Sequence, residues 1–405
     1  MTQTASLALN KPSVDTCCPA CGGDHLVSFY NVRDVPTNSC ILFDTPGEAA
    51  ACPTGDIELC FCEDCGFIYN ARFDKRLTEY SGRYEETQGF SPTFSKFHRA
   101  LAERLIEEHD LAGKRVTEIG CGKGEFLLLL SELAGVKGTG IDPSALQARI
   151  EGTPGAERVT LIPEYYQEHH GDAEADAIVC KMTLEHIPNA EEFLLTVRRS
   201  LENHPDTLVY FQIPETSRIL EHCAFEDIYY EHCAYFTPGS LGRLFRRCMF
   251  DVIKLGVEYD NQYLTIEATP SVGTPLPALS VEDDLATSAL QVRTFERRNA
   301  QIKAHWQAVV EDAKRRGETV ALWGSGSKAV SFLTTLGLGD DIDAVVDINP
   351  HRHGHYMPIT GQKIIGPEEL VNVDPGLVIV MNRIYVPEIS EDLARLDLSP
   401  KITAL

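Results

Sequence analysis

Val116-Thr-Glu-Ile-Gly-Cys-Gly-Lys-Gly-Glu-Phe126 decides the fold of this chain. It reads as a short apolar strand, a glycine-rich turn and the first turn of a helix. Gly120, Gly122 and Gly124 recur at every second position. Such a turn needs residues that tolerate positive φ, and bare backbone that a ligand can approach. Glu118 stands at the end of the strand, and Gly138-Thr-Gly-Ile-Asp142-Pro143 makes a second strand ending in an acid. An acid about 20 residues beyond a glycine turn suits hydrogen bonding to a ribose. Spacing alone therefore predicts a nucleoside cofactor on an α/β sheet, either a dinucleotide or S-adenosylmethionine (SAM).

The E-x-G-x-G-x-G form resembles motif I of the class I SAM-dependent methyltransferases, with Asp142 as the acid of motif II. The resemblance implies SAM held by Glu118, Gly120, Gly122, Gly124, Asp142 and Pro143. The alternation of elements continues in the same sense. Pro143 opens a predicted helix over 143–150, and Val159–Ile162, Ala175–Cys180 and Thr207–Ile213 read as strands. A helix is expected over 190–203, and Val252–Leu255 and Tyr263–Ala268 read as closing strands. Upstream, Phe94–His109 has the apolar period of an amphipathic helix. Ligands bind beyond the carboxyl ends of such strands. The loop Lys181-Met-Thr-Leu-Glu-His186-Ile-Pro is thus a candidate wall, with Met182 and Thr183 toward the cofactor and His186 toward the substrate.

The 405 residues suffice for two or three domains, and 43% hydrophobic with 24% charged residues is ordinary for a globular chain. A net charge of −24 repels a phosphate backbone, so nucleic acid is disfavoured as a partner. The first 15 residues are polar, without a basic start or a long apolar core, and no run is long enough to span a membrane. A cytoplasmic protein is expected, as a monomer or homodimer. Thirteen cysteines fit a reducing compartment, with some thiols serving a metal.

Cys18-Pro-Ala-Cys21-Gly and Cys62-Glu-Asp-Cys65-Gly are two knuckles that together complete a tetrahedral Cys₄ site. The long gap between them must carry its own strands. Structural zinc is favoured over redox dithiols, because neither pair adjoins a βαβ pattern. Cys17 and Cys60 are alternatives of poorer spacing. The predicted domains are 1–75 for zinc, 76–270 for SAM, and 271–405 as a small Rossmann-like module handling substrate. The linker 66–90 is dense in aromatics; Tyr69 reads as packing, and Tyr84 as either packing or a lid over the substrate.

The chemistry candidates lie in Ile228-Tyr-Tyr-Glu-His-Cys-Ala-Tyr-Phe236. His232 can take a proton near neutral pH, Glu231 can orient the imidazole or act as a base, and Tyr229 can donate to an oxyanion. Tyr230 and Tyr235 read mainly as packing, with Tyr235 also a candidate at the substrate. From Pro270 the composition changes to a proline-rich linker, then a long charged helix over about 281–316. Trp323-Gly-Ser-Gly-Ser-Lys-Ala329 repeats the opening device, with Asp347 23 residues after Gly324. Only about 85 residues remain from Val320, which suits a small α/β module better than an NAD domain. His351, His353 and His355 alternate, as a metal site or, preferably, a polar loop.

Taken together, the chain resembles the sugar C-methyltransferases that act on nucleotide-linked deoxysugars in bacterial glycan and antibiotic pathways. The resemblance rests on the four knuckle cysteines, on Ile228-Tyr-Tyr-Glu-His232 through Tyr235-Phe236, and on Trp323–Ala329 with Val346–Pro350 and Pro367–Leu370. It implies zinc at the cysteines and His232 as the favoured base. It also implies a keto-sugar nucleotide, deprotonated beside its 4-keto group and methylated through an enolate. The chain departs from the family pattern at Tyr259–Leu264 and at Thr183–Pro188, two segments expected near the substrate. Other readings are C-, O- or N-methylation of a different small molecule, rRNA methylation, and a non-catalytic scaffold.

Overall fold

The computed structural model describes residues 17–80, 83–172 and 174–405. The expected polar tail, 1–15, lies outside the described residues. The first sheet is antiparallel and contains β1 (Leu26–Pro36), β2 (Thr54–Cys62) and β3 (Ile68–Asn70). β1 and β2 fill the gap between the cysteine knuckles, as that gap required.

The central sheet begins with β4 (Arg115–Ile119), β5 (Lys137–Ile141), β6 (Val159–Ile162), β7 (Ala177–Lys181) and β8 (Leu208–Pro214). A two-residue strand, β9 (Ala234–Tyr235), then leaves this sheet and pairs with β3 of the first one. β10 (Phe250–Glu258) and β11 (Tyr263–Pro270) close the central sheet in the order β10-β11-β8-β7-β4-β5-β6. β4 to β8 run parallel, and β11 is antiparallel to both β8 and β10. Order reverses at β4, so the open crevice lies at its carboxyl end, at the glycine turn. This is the class I SAM methyltransferase fold.

The third sheet is parallel throughout: β12 (Val320–Trp323), β13 (Ala344–Val346), β14 (Ile364–Ile365), β15 (Leu377–Val380) and β16 (Lys401–Ala404). Its order, β14-β13-β12-β15-β16, reverses at β12, where the second glycine turn sits.

One sequence expectation fails. Residues 143–150 form no α-helix; a turn leads into a single 3₁₀ turn over Gln147–Arg149. Asp142 explains this, because its carboxylate captures the Ser144 amide and hydroxyl and holds an Asx-type turn where a helix would start. The other predicted helices form as Pro92–His109, Ala190–Ser200 and Leu285–Arg315. The last is about 46 Å long at 1.5 Å per residue. Its Phe295 stacks edge-on against Phe29 and Tyr30, and its Trp306 against Phe332. A single buried cluster thereby joins the first sheet, the segment Ile219–Tyr230 and the third sheet. A second cluster joins the first sheet, through Cys60 and Tyr69, to Ile119, Ile178 and Phe211 of the central sheet, so the first sheet ties the other two together.

Candidate active site

The cavity has a volume of about 1100 Å³ and is lined by all three parts of the chain. Gly120 and Gly122 line its floor, and Gly124 lies behind them as the N-cap of the helix Glu125–Ala134; their φ are 70°, 51° and 77°. A Cβ on Gly120 would stand 2.0 Å from Thr183 Oγ1, so the turn admits only glycine there. The Gly122 amide donates to Asp142 Oδ2 at 3.1 Å. Glu118 is 3% exposed, and its Oε2 has no partner. Burial pushes its carboxyl up to about 7, opposed by Lys181. An unsatisfied buried oxygen facing a cavity is what a ribose hydroxyl would complete. Pro143, Met182 and Thr183 line the same end, with Met182 held at φ 50° and its amide on the Gln212 carbonyl.

Lys181 was not among the sequence candidates. Its ammonium lies 3.9 Å over the Phe126 ring and 2.7 Å from His98 Nε2. Burial lowers it to about 8 and lowers His98 further, so neutral His98 accepts from the ammonium.

The catalytic candidates sit on an irregular loop that is pinned from three directions. The Asn70 amide donates to the Cys233 carbonyl, and the Cys233 amide donates to the Glu185 carbonyl. From the helix Ser327–Leu336 that follows β12, Ser331 Oγ donates to the carbonyls of Phe225 and Ile228 at 2.9 Å. His232 is thus brought against Tyr229, with ring centroids 4.0 Å apart, and edge-on to His186 at 4.9 Å. His232 is 4% exposed, and its Nδ1 has no partner. Burial, reinforced by His186, holds it well below the usual imidazole range, so it is neutral and able to accept a proton.

His186 Nδ1 lies 3.1 Å from the Glu231 carbonyl and 3.0 Å from the Tyr80 hydroxyl. A carbonyl only accepts, so Nδ1 carries the proton and Nε2 is left as an acceptor.

Glu231 behaves differently from the sequence expectation. It makes no hydrogen bond to His232 and does not line the cavity. Its carboxylate accepts from the Ser39 amide at 2.8 Å, Asn38 Nδ2 at 3.0 Å and the Tyr84 hydroxyl at 3.0 Å. Burial raises it to about 7 against those donors. It therefore holds Tyr84, which does line the cavity, and ties the first sheet to the loop. Asn38 and Ser39 carried no signal in sequence, because an Asn-Ser pair is ordinary turn chemistry. Tyr235 also stands behind the cavity, its hydroxyl on the Tyr229 carbonyl at 3.4 Å.

The third sheet supplies the far wall with Trp323, Gly324, Gly326, Ser327, Lys328, Asn349 and Arg352. Lys328 Nζ meets both oxygens of Asp227 at 2.6 Å, and Arg218 bonds the same carboxylate. Glu85 links the first glycine turn to the loop after β13: it accepts from Lys123 at 2.7 Å and from Asn349 at 3.0 Å.

A family model described as a methyltransferase domain matches residues 91–255, and one described as a C-methyltransferase C-terminal domain matches residues 277–398. The C-methyltransferase NovU of Streptomyces niveus is 24% identical over 390 residues, covering 93% of this chain and 91% of its own length. These matches support a SAM-dependent C-methyltransferase. Magnesium protoporphyrin IX methyltransferase of Synechocystis PCC 6803, solved with bound S-adenosylhomocysteine, is 16% identical and covers 44% of this chain and 84% of its own, with a TM-score of 0.35. A Burkholderia thailandensis N1-methyltransferase is 17% identical, covers 45% and 82%, and scores 0.35. At that level neither likeness bears on function.

In this methyltransferase the four knuckle cysteines converge. One sulfur from each of Cys18, Cys21, Cys62 and Cys65 lies within 4.8 Å of the others. Cys17 is exposed and Cys60 is buried in β2, outside that group. The alternating histidines do not converge in this way: His353 Nε2 bonds the Asp347 carbonyl, and His351 packs on Phe90. No helix among the described residues is long and apolar enough to cross a membrane.

Proposed function

We propose that this enzyme methylates a carbon beside a keto group on a nucleotide-linked deoxysugar, through an enolate. The observation that carries the reading is the placement of His232. It is buried, neutral and unpartnered at Nδ1, on a cavity that the glycine turn of β4 and the Lys328 side of the C-terminal unit also line. Bound at Glu118 and Asp142, SAM supplies an electrophilic methyl group. His232 takes the acidic C–H proton, and Tyr229 and His186 frame the reacting carbon. Tyr84, held by Glu231, places a hydroxyl at the same wall.

The carrier side supports a nucleotide. Two cations, Lys328 and Arg218, converge on one carboxylate, Asp227. A diphosphate would compete with that carboxylate for the two cations. The four thiols, with knuckle geometry and no open ligand position, suit structural zinc. Zinc would fix the first sheet, and with it Asn38 and Ser39.

Incubation with methyl-labelled SAM and a nucleotide-linked 4-keto-deoxysugar should put the label on the sugar carbon. With S-adenosylhomocysteine in D₂O, the same carbon should gain deuterium. Label on oxygen or nitrogen would sink the reading. Metal analysis should find one zinc per chain, and loss of zinc on Cys62→Ser should unfold the first sheet; a metal-free, folded wild type would remove the zinc assignment.

A further inference from the structure

Glu185 is a second carboxyl buried at the reacting end of the cavity, and it is not among the candidates read from sequence. It is 1% exposed and lines the cavity between Thr183 on the cofactor side and His232. Neither of its oxygens bonds another residue. One of them, together with one ring nitrogen each of His186 and His232, forms a group whose atoms all lie within 4.8 Å of one another. Its backbone is fixed, because the Glu185 carbonyl accepts from the Cys233 amide at 2.9 Å. A buried carboxyl with no donor is costly unless something in the cavity completes it.

We propose that Glu185 is a further catalytic residue, touching the acceptor and donating a hydrogen bond to the oxygen that becomes anionic when the carbon-bound proton leaves. The proposal rests on the C-methylation reading above. The balance is as follows. The C–H electron pair becomes the enolate double bond, and the proton goes to a ring nitrogen of His232. The carbonyl π pair moves onto oxygen, where the Glu185 O–H meets it. The enolate carbon then bonds the methyl of SAM as the C–S bond breaks. The carbonyl re-forms, the sulfonium becomes a thioether, and Glu185 keeps its proton.

The surroundings favour the protonated form. His186 and His232 face Glu185, and burial keeps both neutral, so neither offers a compensating cation. Cys180, Cys233 and Glu231 bring no positive charge either. Burial accordingly pushes Glu185 up to about 8. A carboxylic acid kept neutral in an apolar site is an effective oxyanion donor.

The test uses the full-length enzyme with S-adenosylhomocysteine, and a nucleotide-linked 4-keto-deoxysugar as the probe. Wild type at pH 7 should show an infrared carboxylic-acid band that Glu185→Gln removes. Deuterium exchange at the sugar carbon should survive within roughly tenfold in Glu185→Gln, whose amide still donates. It should fall by at least about 100-fold in Glu185→Leu. S-adenosylhomocysteine affinity, read by calorimetry, should be unchanged in both variants. Absence of the band, or wild-type exchange in Glu185→Leu, overturns the proposal. A bound metal lost in Glu185→Gln, with chelator-sensitive exchange, overturns it in favour of a Glu185–His186–His232 metal site. A wild-type enzyme with the band but no exchange sinks the keto-sugar reading instead, while the band still supports a neutral Glu185.

Discussion

The two glycine turns of this chain use the same device for different ends. Both follow a parallel strand at the point where sheet order reverses, and both face one cavity. Two residues before the first glycine stands Glu118 in one case and Leu322 in the other. Glu118 offers an unpartnered oxygen to the cavity, whereas Leu322 is fully buried in the core. The acids that follow are occupied alike: Asp142 accepts from the Gly122 amide and from the Ser144 amide and hydroxyl, and Asp347 from the Ser325 amide and hydroxyl and the Asn349 amide. Ser325 is further covered by Arg352. On the proposed function, Glu118 gives the first turn its hold on a nucleoside hydroxyl, while the second turn carries Lys328, paired with Asp227, as the cation an anion would take over. A glycine turn sets where a ligand lies; the residues flanking it set which ligand.

The sharpest way to break this comparison is to cut the chemistry without touching either turn. His232→Ala should lower turnover roughly 10²–10⁴-fold, the usual worth of a positioned base. S-adenosylhomocysteine affinity by calorimetry should stay at the wild-type value. Retained turnover would move the base elsewhere on the cavity wall.

Next come the turns themselves. Glu118→Ala should weaken S-adenosylhomocysteine binding by about 10–100-fold, as expected for losing a hydrogen bond to a charged group. Ser325→Ala should leave that affinity alone. Equal losses in both variants would mean that the two turns share the donor. Lys328→Met should act oppositely, raising the acceptor KM about tenfold with kcat nearly kept, as for a lost ground-state contact. A Lys328→Met enzyme with normal KM and reduced donor affinity would reverse the assignment of the two ends.

Sequence made the two α/β units legible because strand, glycine turn and acid are local signals read at fixed spacing. The residues around His232 were legible for the same reason, lying in one run of nine. What sequence hid was long-range. Glu231 reads as an orienting acid beside His232, yet its partners lie at Asn38, Ser39 and Tyr84, more than 140 residues away. The pairing of β3 with β9 was equally invisible, since two residues carry no strand pattern. Lys181 and Glu185 sat in plain view in a loop already marked as a wall. Only their burial, and the missing partner of Glu185, gives them weight. Pro143 misled because proline in a first helical turn and proline in an Asx-type turn look alike until Asp142 is seen capturing Ser144.

The smallest effect is in stability, and its sign follows from which groups are buried. Glu118, Glu226 and Glu231 are pushed up to about 7 and Glu185 to about 8 by burial. Between the ordinary carboxyl range and those values the folded chain holds more protons than the unfolded one, so these groups make stability fall as pH rises. Burial depresses His98, His186 and His232. Unfolding lets them charge below about 6.5, so they make stability rise with pH up to that point and then fall silent. The two sets oppose one another from about pH 5 to 6.5; above it the carboxyls lead, opposed toward pH 8 by Lys181, which burial lowers to about 8. Tm should therefore drop by roughly a few degrees from pH 6.5 to 8. Glu118→Gln should flatten that slope, because an amide cannot titrate. Leu322→Met, at the matching place on the second turn, should leave it unchanged. A slope that Glu118→Gln does not alter would mean that this carboxyl is already ionised in the free enzyme, and the chemical difference between the two turns would shrink to their glycines.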